Sequence, residues 1–273
     1  MSLLDAPINT EHPESGPQCP EGKMAGLHRL LALLALALGT VAVSVPRRPR
    51  MLTYDISPCV CTVDVQHNMD IDCSQVESED QLAQVFSSNI PFPKFNKLLI
   101  EGNPHLTVLR NGDLGPASFQ IIEMTSGVLE EVQDGALSGV KNVNSIGVEG
   151  NGITTVVPGI FSDLPHLRYL YLFSNRLSEI PAGAIEFNGN GFLFLDQNNI
   201  SKIAVGAITE DVFGAFLSAG ATLEIDDNPL GCGCEIAWLV TNSAYMSLIS
   251  PGASCYDGEL LANLDPTIYE DFC

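Results

Sequence analysis

The sequence predicts an α/β fold, a solenoid of stacked repeats that places a curved parallel sheet on its concave face. One stretch, Leu167-Arg-Tyr-Leu-Tyr-Leu-Phe-Ser-Asn-Arg-Leu177, fits the pattern L-x-x-L-x-L-x-x-N-x-L at every required position. In this pattern the closely spaced leucines face a core, and the Asn side chain bonds to backbone that has just left the strand. One such unit cannot bury its own apolar face, so the stretch implies stacked neighbours.

Two markers recur in phase along the chain and identify the unit as a leucine-rich repeat. The central apolar position of the strand recurs at residues 98, 122, 146, 170, 193 and 223, so most repeats are 23 or 24 residues long. This spacing lies inside the window of about 20–29 residues that is typical of the class. On the return segment, glycines let the backbone turn without a side-chain clash, at Gly112, Gly135, Gly159, Gly183 and Gly206. We predict repeats over residues 93–228, with Gly127 standing in one Asn position.

The charge of the chain argues against a nucleic-acid partner. The formal net charge is −21, and neutralising phosphates requires clustered Lys and Arg. From residue 51 onward there are 7 Lys and Arg against 29 Asp and Glu, so the acidity belongs to the folded part of the chain and not to a tail. It serves either solubility or the steering of basic partners.

The N-terminal region has the form of a targeting segment. Residues 1–23 are polar and aperiodic, which predicts disorder or an upstream extension. Residues 24–45 have a short basic start and then an apolar run of about 16 residues, as in a secretory signal peptide. The alternative is a retained anchor, although a bilayer span needs about 20 residues. We therefore expect a secreted, extracellular protein.

No catalytic constellation is present, so we predict that the chain is not an enzyme and needs no metal or other cofactor. The five histidines lie at unrelated points, and the H-E-x-x-H, G-x-S-x-G and P-loop motifs are absent. Acidic residues project from the strands in different columns and predict an acidic concave face instead of a catalytic pair. They are Glu101, Glu123, Glu149, Asp196 and Asp226.

A protein-binding patch is predicted on the same face. In a solenoid the positions between the leucines line up in columns on the concave surface. This register brings five aromatic residues together on two adjacent strands: Tyr169, Tyr171, Phe173, Phe192 and Phe194. Exposed aromatic residues are enriched at binding hot spots. The alternative is that neighbouring loops or a distorted fifth repeat bury them. Beside the patch, Asn199-Ile-Ser201 is a glycosylation sequon at Asn199.

Cysteine-rich stretches flank the repeats and predict two caps, over residues 57–92 and 229–273. A terminal repeat has no neighbour on one side, so its core edge must be covered. At the C-terminal end the apolar residues 236–240 predict a short helix that plugs the core. A zinc site is the competing interpretation of these cysteines, but the predicted secretion and the lack of C-x-x-C spacing argue against it.

Four stretches resemble the family of crustacean oplophorus-luciferin 2-monooxygenase non-catalytic subunits. They are residues 69–74 (MDIDCS), 127–137 (GVLEEVQDGAL), 228–242 (NPLGCGCEIAWLVTN) and 255–261 (CYDGELL). The resemblance covers about residues 58–273. It implies a secreted leucine-rich-repeat chain that performs no oxidation itself and accompanies a small luciferase chain. We therefore expect a protein partner, with an extracellular recognition or adhesion module of the innate-immunity type as the alternative function.

The resemblance also implies a set of disulfides. The expected pairs are Cys59–Cys73, Cys232–Cys255 and Cys234–Cys273. Cys61 is left without the partner that it has in such caps, because the first cap cysteine is absent. Either Cys61 forms an intermolecular bond, or the stretch over residues 46–56 is mis-spliced relative to the relatives.

Overall fold

The computed structural model of the protein describes residues 55–87, 90, 93–186 and 191–273. The extension predicted over residues 1–23 and the signal peptide predicted over residues 24–45 lie outside the described residues. Among the described residues, no helix is both long enough and apolar enough to cross a membrane.

Short strands and few helices make up the described chain. The strands are β1 (Val60–Val63), β2 (Met69–Asp72), β3 (Lys97–Glu101), β4 (Val108–Leu109), β5 (Ile121–Thr125), β6 (Glu131–Val132), β7 (Ser145–Gly147), β8 (Tyr169–Tyr171), β9 (Glu179–Ile180), β10 (Phe192–Phe194), β11 (Lys202–Ile203) and β12 (Leu223–Glu224). The helices are α1 (Glu79–Val85), α2 (Glu210–Ala219), α3 (Ala237–Val240), α4 (Ser243–Met246) and α5 (Pro266–Phe272). Two 3₁₀ turns cover Cys234–Ile236 and Leu261–Asn263.

One sheet of eight strands forms the concave face, in the order β1-β2-β3-β5-β7-β8-β10-β12. Only β1 and β2 pair antiparallel; the later neighbours are parallel, as stacked repeats require. The central apolar residues are in register and buried in one core, namely Leu98, Ile122, Ile146, Leu170, Leu193 and Leu223. On the return side two short parallel pairs form, β4 with β6 and β9 with β11. The predicted solenoid and its register are confirmed.

Each of the six repeat strands in the large sheet (β3, β5, β7, β8, β10 and β12) is followed by one residue in the left-handed backbone conformation. The φ angles of these residues lie between +53° and +67°, at Gly102, Ser126, Gly150, Ser174, Gln197 and Asp227. The next residue is the asparagine of the pattern, whose side chain bonds to the backbone of adjacent repeats. The Asn175 amide donates to the carbonyls of Val148 and Leu172, and its Oδ1 accepts the Ile153 N–H. These bonds satisfy backbone groups that would otherwise be buried without a partner.

Gly127 interrupts this series for a steric reason. A Cβ on Gly127 would lie 2.9 Å from the backbone oxygen of Asn103 and 3.1 Å from Oδ1 of Asn151. Asn151 keeps the bond that the other pattern asparagines make to the preceding repeat, because its Oδ1 accepts the Leu129 N–H, and it also accepts the Gly127 N–H. The N–H groups in the preceding repeat that an asparagine at position 127 would bind are accepted instead by Asn103, whose Oδ1 accepts the N–H groups of His105 and Leu106.

The return segments explain the second glycine register and the one long repeat. All five predicted glycines have positive φ, between +71° and +90°, at Gly112, Gly135, Gly159, Gly183 and Gly206. The 30 residues between Leu193 and Leu223 contain α2, whose Phe213 and Phe216 are buried. The longest repeat is therefore accommodated by a helix on the convex side.

Disulfide-bonded caps close both ends of the core. Cys59–Cys73 joins the start of the N-terminal cap to the residue after β2, and Cys232–Cys255 and Cys234–Cys273 tie the C-terminal cap. The 3₁₀ turn and α3 cover residues 234–240 and bury Ile236, Leu239 and Val240, as the sequence predicts. The four C-terminal cysteines are used in disulfides, so they form no zinc site.

The expectation for Cys61 is wrong. Cys61 is disulfide-bonded, and no cysteine of the described residues is free. The spacing of the described cysteines does not reveal this bond, because the three cap pairs account for the other six described cysteines.

Candidate binding face

Three columns of side chains cover the concave sheet, as the repeat register predicts. The first runs through Lys97, Ile121, Ser145, Tyr169, Phe192 and Thr222, and the middle one through Leu99, Glu123, Gly147, Tyr171, Phe194 and Glu224. The third begins with Glu101 and Thr125 and continues through Glu149, Phe173, Asp196 and Asp226. The cap strand β2 adds Asp70 opposite Lys97 and Asp72 opposite Leu99, which sequence reasoning missed.

The five aromatic residues of the predicted patch lie together across β8 and β10. Tyr171 stacks on Phe194 with ring centroids 4.7 Å apart and planes 9° apart. Tyr169 stacks on Phe192 at 5.5 Å and 2°, and Phe173 meets Tyr171 edge to face at 6.5 Å. Parallel pairing puts equivalent residues of the two strands opposite each other, which aligns the rings. We call these five residues the aromatic patch.

The aromatic patch stays partly open to solvent. Tyr169 is 38% exposed, and the other four rings are half-buried. The rings cover one another, and Phe192 also packs against the core. None of the five is fully buried.

A glycine brings an acidic side chain against the patch. Gly147 lies opposite Glu123 on one side and Tyr171 on the other. A Cβ on Gly147 would lie 2.7 Å from Oε2 of Glu149, so this carboxyl group fills the space that a side chain would take. Oε2 is buried and has no hydrogen-bond partner among the described residues. Burial raises the pKa of Glu149, and the charge of Glu123 raises it further.

The same charges act on the neighbouring ring. Burial raises the pKa of the Tyr171 hydroxyl above its ordinary value, and Tyr169, Glu149 and Glu123 raise it further. Acids and aromatic rings therefore share one electrostatic environment at the middle of the sheet.

The predicted acidic residues lie on both sides of the aromatic patch. Glu101, Glu123 and Glu149 precede it along the stack; Glu101 is exposed, while the Lys97 Nζ lies 3.1 Å from Oε2 of Glu123. Asp196 and Asp226 follow it. Burial raises the pKa of Asp196, and the charges of Glu224, Asp226 and Asp227 add to the rise.

The predicted glycosylation position lies on the turn that leaves β10. The side chain of Asn199 is exposed, and its backbone N–H donates to the carbonyl of Leu177. Ser201 donates its hydroxyl to the carbonyl of Ser178 at 3.3 Å. The sequon is therefore accessible from solvent.

A polar cavity that sequence reasoning missed lies along the edge where the strands begin. Its volume is about 800 Å³. Six of the lining side chains are polar and long enough to reach a ligand: Lys94, Gln120, Asn142, Asn144, His166 and Arg168. They lie one to three residues before a strand, where the repeat pattern places no constraint. Their common position relative to the strands is the signal that could have found them.

Comparison with known proteins agrees with this architecture. A family model described as leucine rich repeat matches residues 119–177. The fold is a leucine-rich-repeat solenoid.

Similarity to one relative extends over most of the chain. The oplophorus-luciferin 2-monooxygenase non-catalytic subunit of Oplophorus gracilirostris is 27% identical over 311 residues, covering 80% of this chain and 87% of that protein. The predicted resemblance is confirmed. That relative is named a non-catalytic subunit, which agrees with the prediction that this chain is not an enzyme.

Two shorter matches involve other leucine-rich-repeat proteins. Decorin of Rattus norvegicus is 32% identical over 88 residues, covering 32% of this chain and 25% of decorin. Asporin of Bos taurus is 27% identical over 90 residues, covering 33% of this chain and 24% of asporin. These matches support the repeat architecture over about a third of the chain.

Proposed function

We propose that this leucine-rich-repeat protein is a secreted, non-catalytic accessory subunit that binds another protein through the aromatic patch. The observation that carries the proposal is the cross-strand stack of Tyr171 on Phe194 beside that of Tyr169 on Phe192. Rings held by a regular sheet are rigid before binding, so little conformational entropy is lost when a partner covers them. Exposed aromatic clusters of this kind are typical hot spots of protein interfaces.

The charges around the patch favour a basic partner surface. Glu123 and Glu149 lie on one side, and Asp196 and Asp226 on the other. Complementary charges raise the association rate and select the orientation of the partner. A Lys or Arg side chain of the partner can also lie over a Tyr or Phe ring, which stabilises the contact further.

Secretion is part of the proposal. The disulfides of both caps persist in oxidising compartments such as the extracellular space. The signal peptide proposed over residues 24–45 would provide the route, and Asn199 would carry a glycan on the exposed turn beside the patch.

The partner that we propose is a small secreted luciferase-like catalytic chain. This rests on the similarity to a protein named as the non-catalytic subunit of a luciferin monooxygenase. A non-catalytic subunit implies a separate chain that performs the reaction.

A pull-down from native secretion tests the proposal. The purified chain is compared with the double variant Tyr171→Ala, Phe194→Ala, and with the matched control Tyr256→Ala, Phe272→Ala, which removes exposed rings from the C-terminal cap. We expect the control to retain the partner and the patch variant to lose it, while both keep the wild-type circular dichroism spectrum. Identical captured proteins for the wild type and the patch variant would disprove the role of the patch. Luciferin oxidation by the purified chain alone would disprove the accessory role.

A further inference from the structure

We propose that the polar cavity is a binding site for a short, negatively charged saccharide. The cavity lies along the edge where β3, β5, β7 and β8 begin. It is distinct from the aromatic patch, with which it shares only the ring of Tyr169 at its rim. The inference therefore does not depend on the proposed protein partner.

The charge of the cavity is opposite to that of the chain. From residue 51 onward, acids outnumber bases by 29 to 7. None of the described residues that line the cavity is acidic, whereas Lys94 and Arg168 are cations and His166 can carry a positive charge. Because the lining of the cavity is positively charged while the rest of the chain is acidic, the cavity favours an anionic ligand.

The polar side chains of the cavity have no partners within the described protein. Lys94, Gln120, Asn142, Asn144, His166 and Arg168 make no side-chain hydrogen bond or ion pair with the described residues. Two cations outside the cavity are paired among the described residues: Arg110 binds Asp80 and Asp113, and Lys97 binds Glu123. The donors around the cavity are therefore available to a ligand.

The dimensions of the cavity suit a few sugar rings. Its volume of about 800 Å³ is within the range of about 300–1,000 Å³ that is usual for small-molecule sites. Lys94 precedes β3 and Arg168 precedes β8, which is the third strand after it in the sheet. At about 4.8 Å per strand, β3 and β8 lie roughly 14 Å apart. A ligand that meets both cations must be extended.

The chemistry of the lining favours a saccharide over an acidic peptide. The side-chain amides of Gln120, Asn142 and Asn144 each donate and accept hydrogen bonds, which matches sugar hydroxyls. The ring of Tyr169, 38% exposed, gives a flat apolar surface against which a sugar ring can lie. The ligand is short, because a long polyanion would meet the acidic surface beyond the cavity and be repelled.

Calorimetry with defined tetrasaccharides tests the inference on the full secreted chain. The probes are a sulfated chondroitin tetrasaccharide, an unsulfated hyaluronan tetrasaccharide that carries only carboxylates, and neutral maltotetraose. We expect binding of at least one charged probe, weaker at higher salt, and none of maltotetraose. The two charged probes distinguish a sulfate from a carboxylate as the recognised anion.

Matched variants locate the site. The variant Lys94→Gln, Arg168→Gln should weaken binding at least tenfold. The control Lys202→Gln, Arg176→Gln removes two exposed cations outside the cavity and should change affinity less than twofold. Equal losses in both variants would show diffuse attraction and overturn the inference, as would the absence of binding to all three probes. Tighter binding of tetraglutamate than of either charged saccharide would also overturn it. Tyr171→Ala, Phe194→Ala should keep saccharide affinity, so this inference and the proposed function fail separately.

Discussion

Tyr171 and Phe194 stack with ring centroids 4.7 Å apart, although one whole repeat of chain separates them. Their contact follows from the parallel register of β8 and β10, which places the two residues directly opposite each other. Neither ring belongs to the core of the repeat, whose strand positions are filled by Leu170 and Leu193. The stack is therefore a surface feature that the core positions do not require.

Replacing Tyr171 by alanine should separate binding from stability. Loss of the half-buried ring, with its contacts to Tyr169, Phe173 and Phe194, should lower the free energy of unfolding by about 1–3 kcal/mol. Loss of a hot spot should lower partner affinity by about 2 kcal/mol, or roughly 30-fold. Tyr256→Ala is the matched control, since Tyr256 is 75% exposed, and should change either quantity by less than about 0.5 kcal/mol. Denaturant unfolding and surface plasmon resonance measure the two effects. A loss of stability with unchanged affinity would make the ring structural.

Gly127 occupies a position where the repeat pattern favours asparagine, so a substitution there tests the pattern against the local packing. The pattern favours Gly127→Asn, but the new Cβ would lie 2.9 Å from the Asn103 backbone oxygen. Relief of this contact requires backbone movement, so we expect a loss of about 1–3 kcal/mol in the free energy of unfolding. Asn175→Ala is the companion variant, because it unpairs buried backbone groups and should cost about 1–3 kcal/mol. A Gly127→Asn chain more stable than the wild type would show that the repeat pattern overrides the local contact.

Two glycines with empty surroundings should respond to alanine with opposite signs. No atom lies within 4 Å of a Cβ placed on Gly206 or on Gly214. Gly206 has φ +72°, so Gly206→Ala should destabilise the chain by about 1–2 kcal/mol through backbone strain alone. Gly214 lies inside α2, where Gly214→Ala should stabilise by about 0.5–1 kcal/mol. Thermal unfolding of both variants measures the difference. Equal effects of the two substitutions would contradict this account of the return turns.

The fold was accessible from the sequence because its constraints are periodic. Each repeat needs an apolar core residue at the centre of its strand, and this requirement recurs at a spacing of 24 residues in Leu98, Ile122 and Ile146. The register of the sheet follows from this spacing. The aromatic patch followed from the same register, since Tyr171 and Phe194 occupy equivalent positions in successive repeats.

Features that occur only once were not accessible in this way. The helix α2 enters a single repeat, and Cys61 is disulfide-bonded although the absent first cap cysteine leaves it without an expected partner. The polar cavity depends on Lys94 and Arg168, which lie three residues and one residue before their strands, at positions that the leucine pattern leaves free. The orientation of Glu149 over Gly147 depends on side-chain packing, which spacing does not encode.

Glu149 should make stability depend on pH in a defined direction. Its pKa in the folded chain is raised above the ordinary 4.5 by burial and by Glu123. At a pH between the unfolded-state pKa and the folded-state pKa of Glu149, the folded state binds more protons than the unfolded state. The free energy of unfolding therefore falls as the pH rises through this range. Glu149→Gln removes the cost of keeping a buried carboxylate ionised, so this variant should be more stable than the wild type at neutral pH. The difference should shrink as pH falls below 4.5, where the wild-type carboxyl is protonated in both states.

Urea denaturation at neutral and acidic pH measures this difference. Glu101→Gln is the control, because it removes one negative charge from an exposed position on the same face. A gain that is equal in the two variants would assign the effect to net charge, and a gain in Glu149→Gln that persists at acidic pH would assign it to packing. Only a gain that is larger for Glu149 and that disappears in acid identifies the buried carboxylate over Gly147 as its source. A basic partner side chain at this position would offset the same penalty, so partner binding should also narrow the difference in stability at neutral pH.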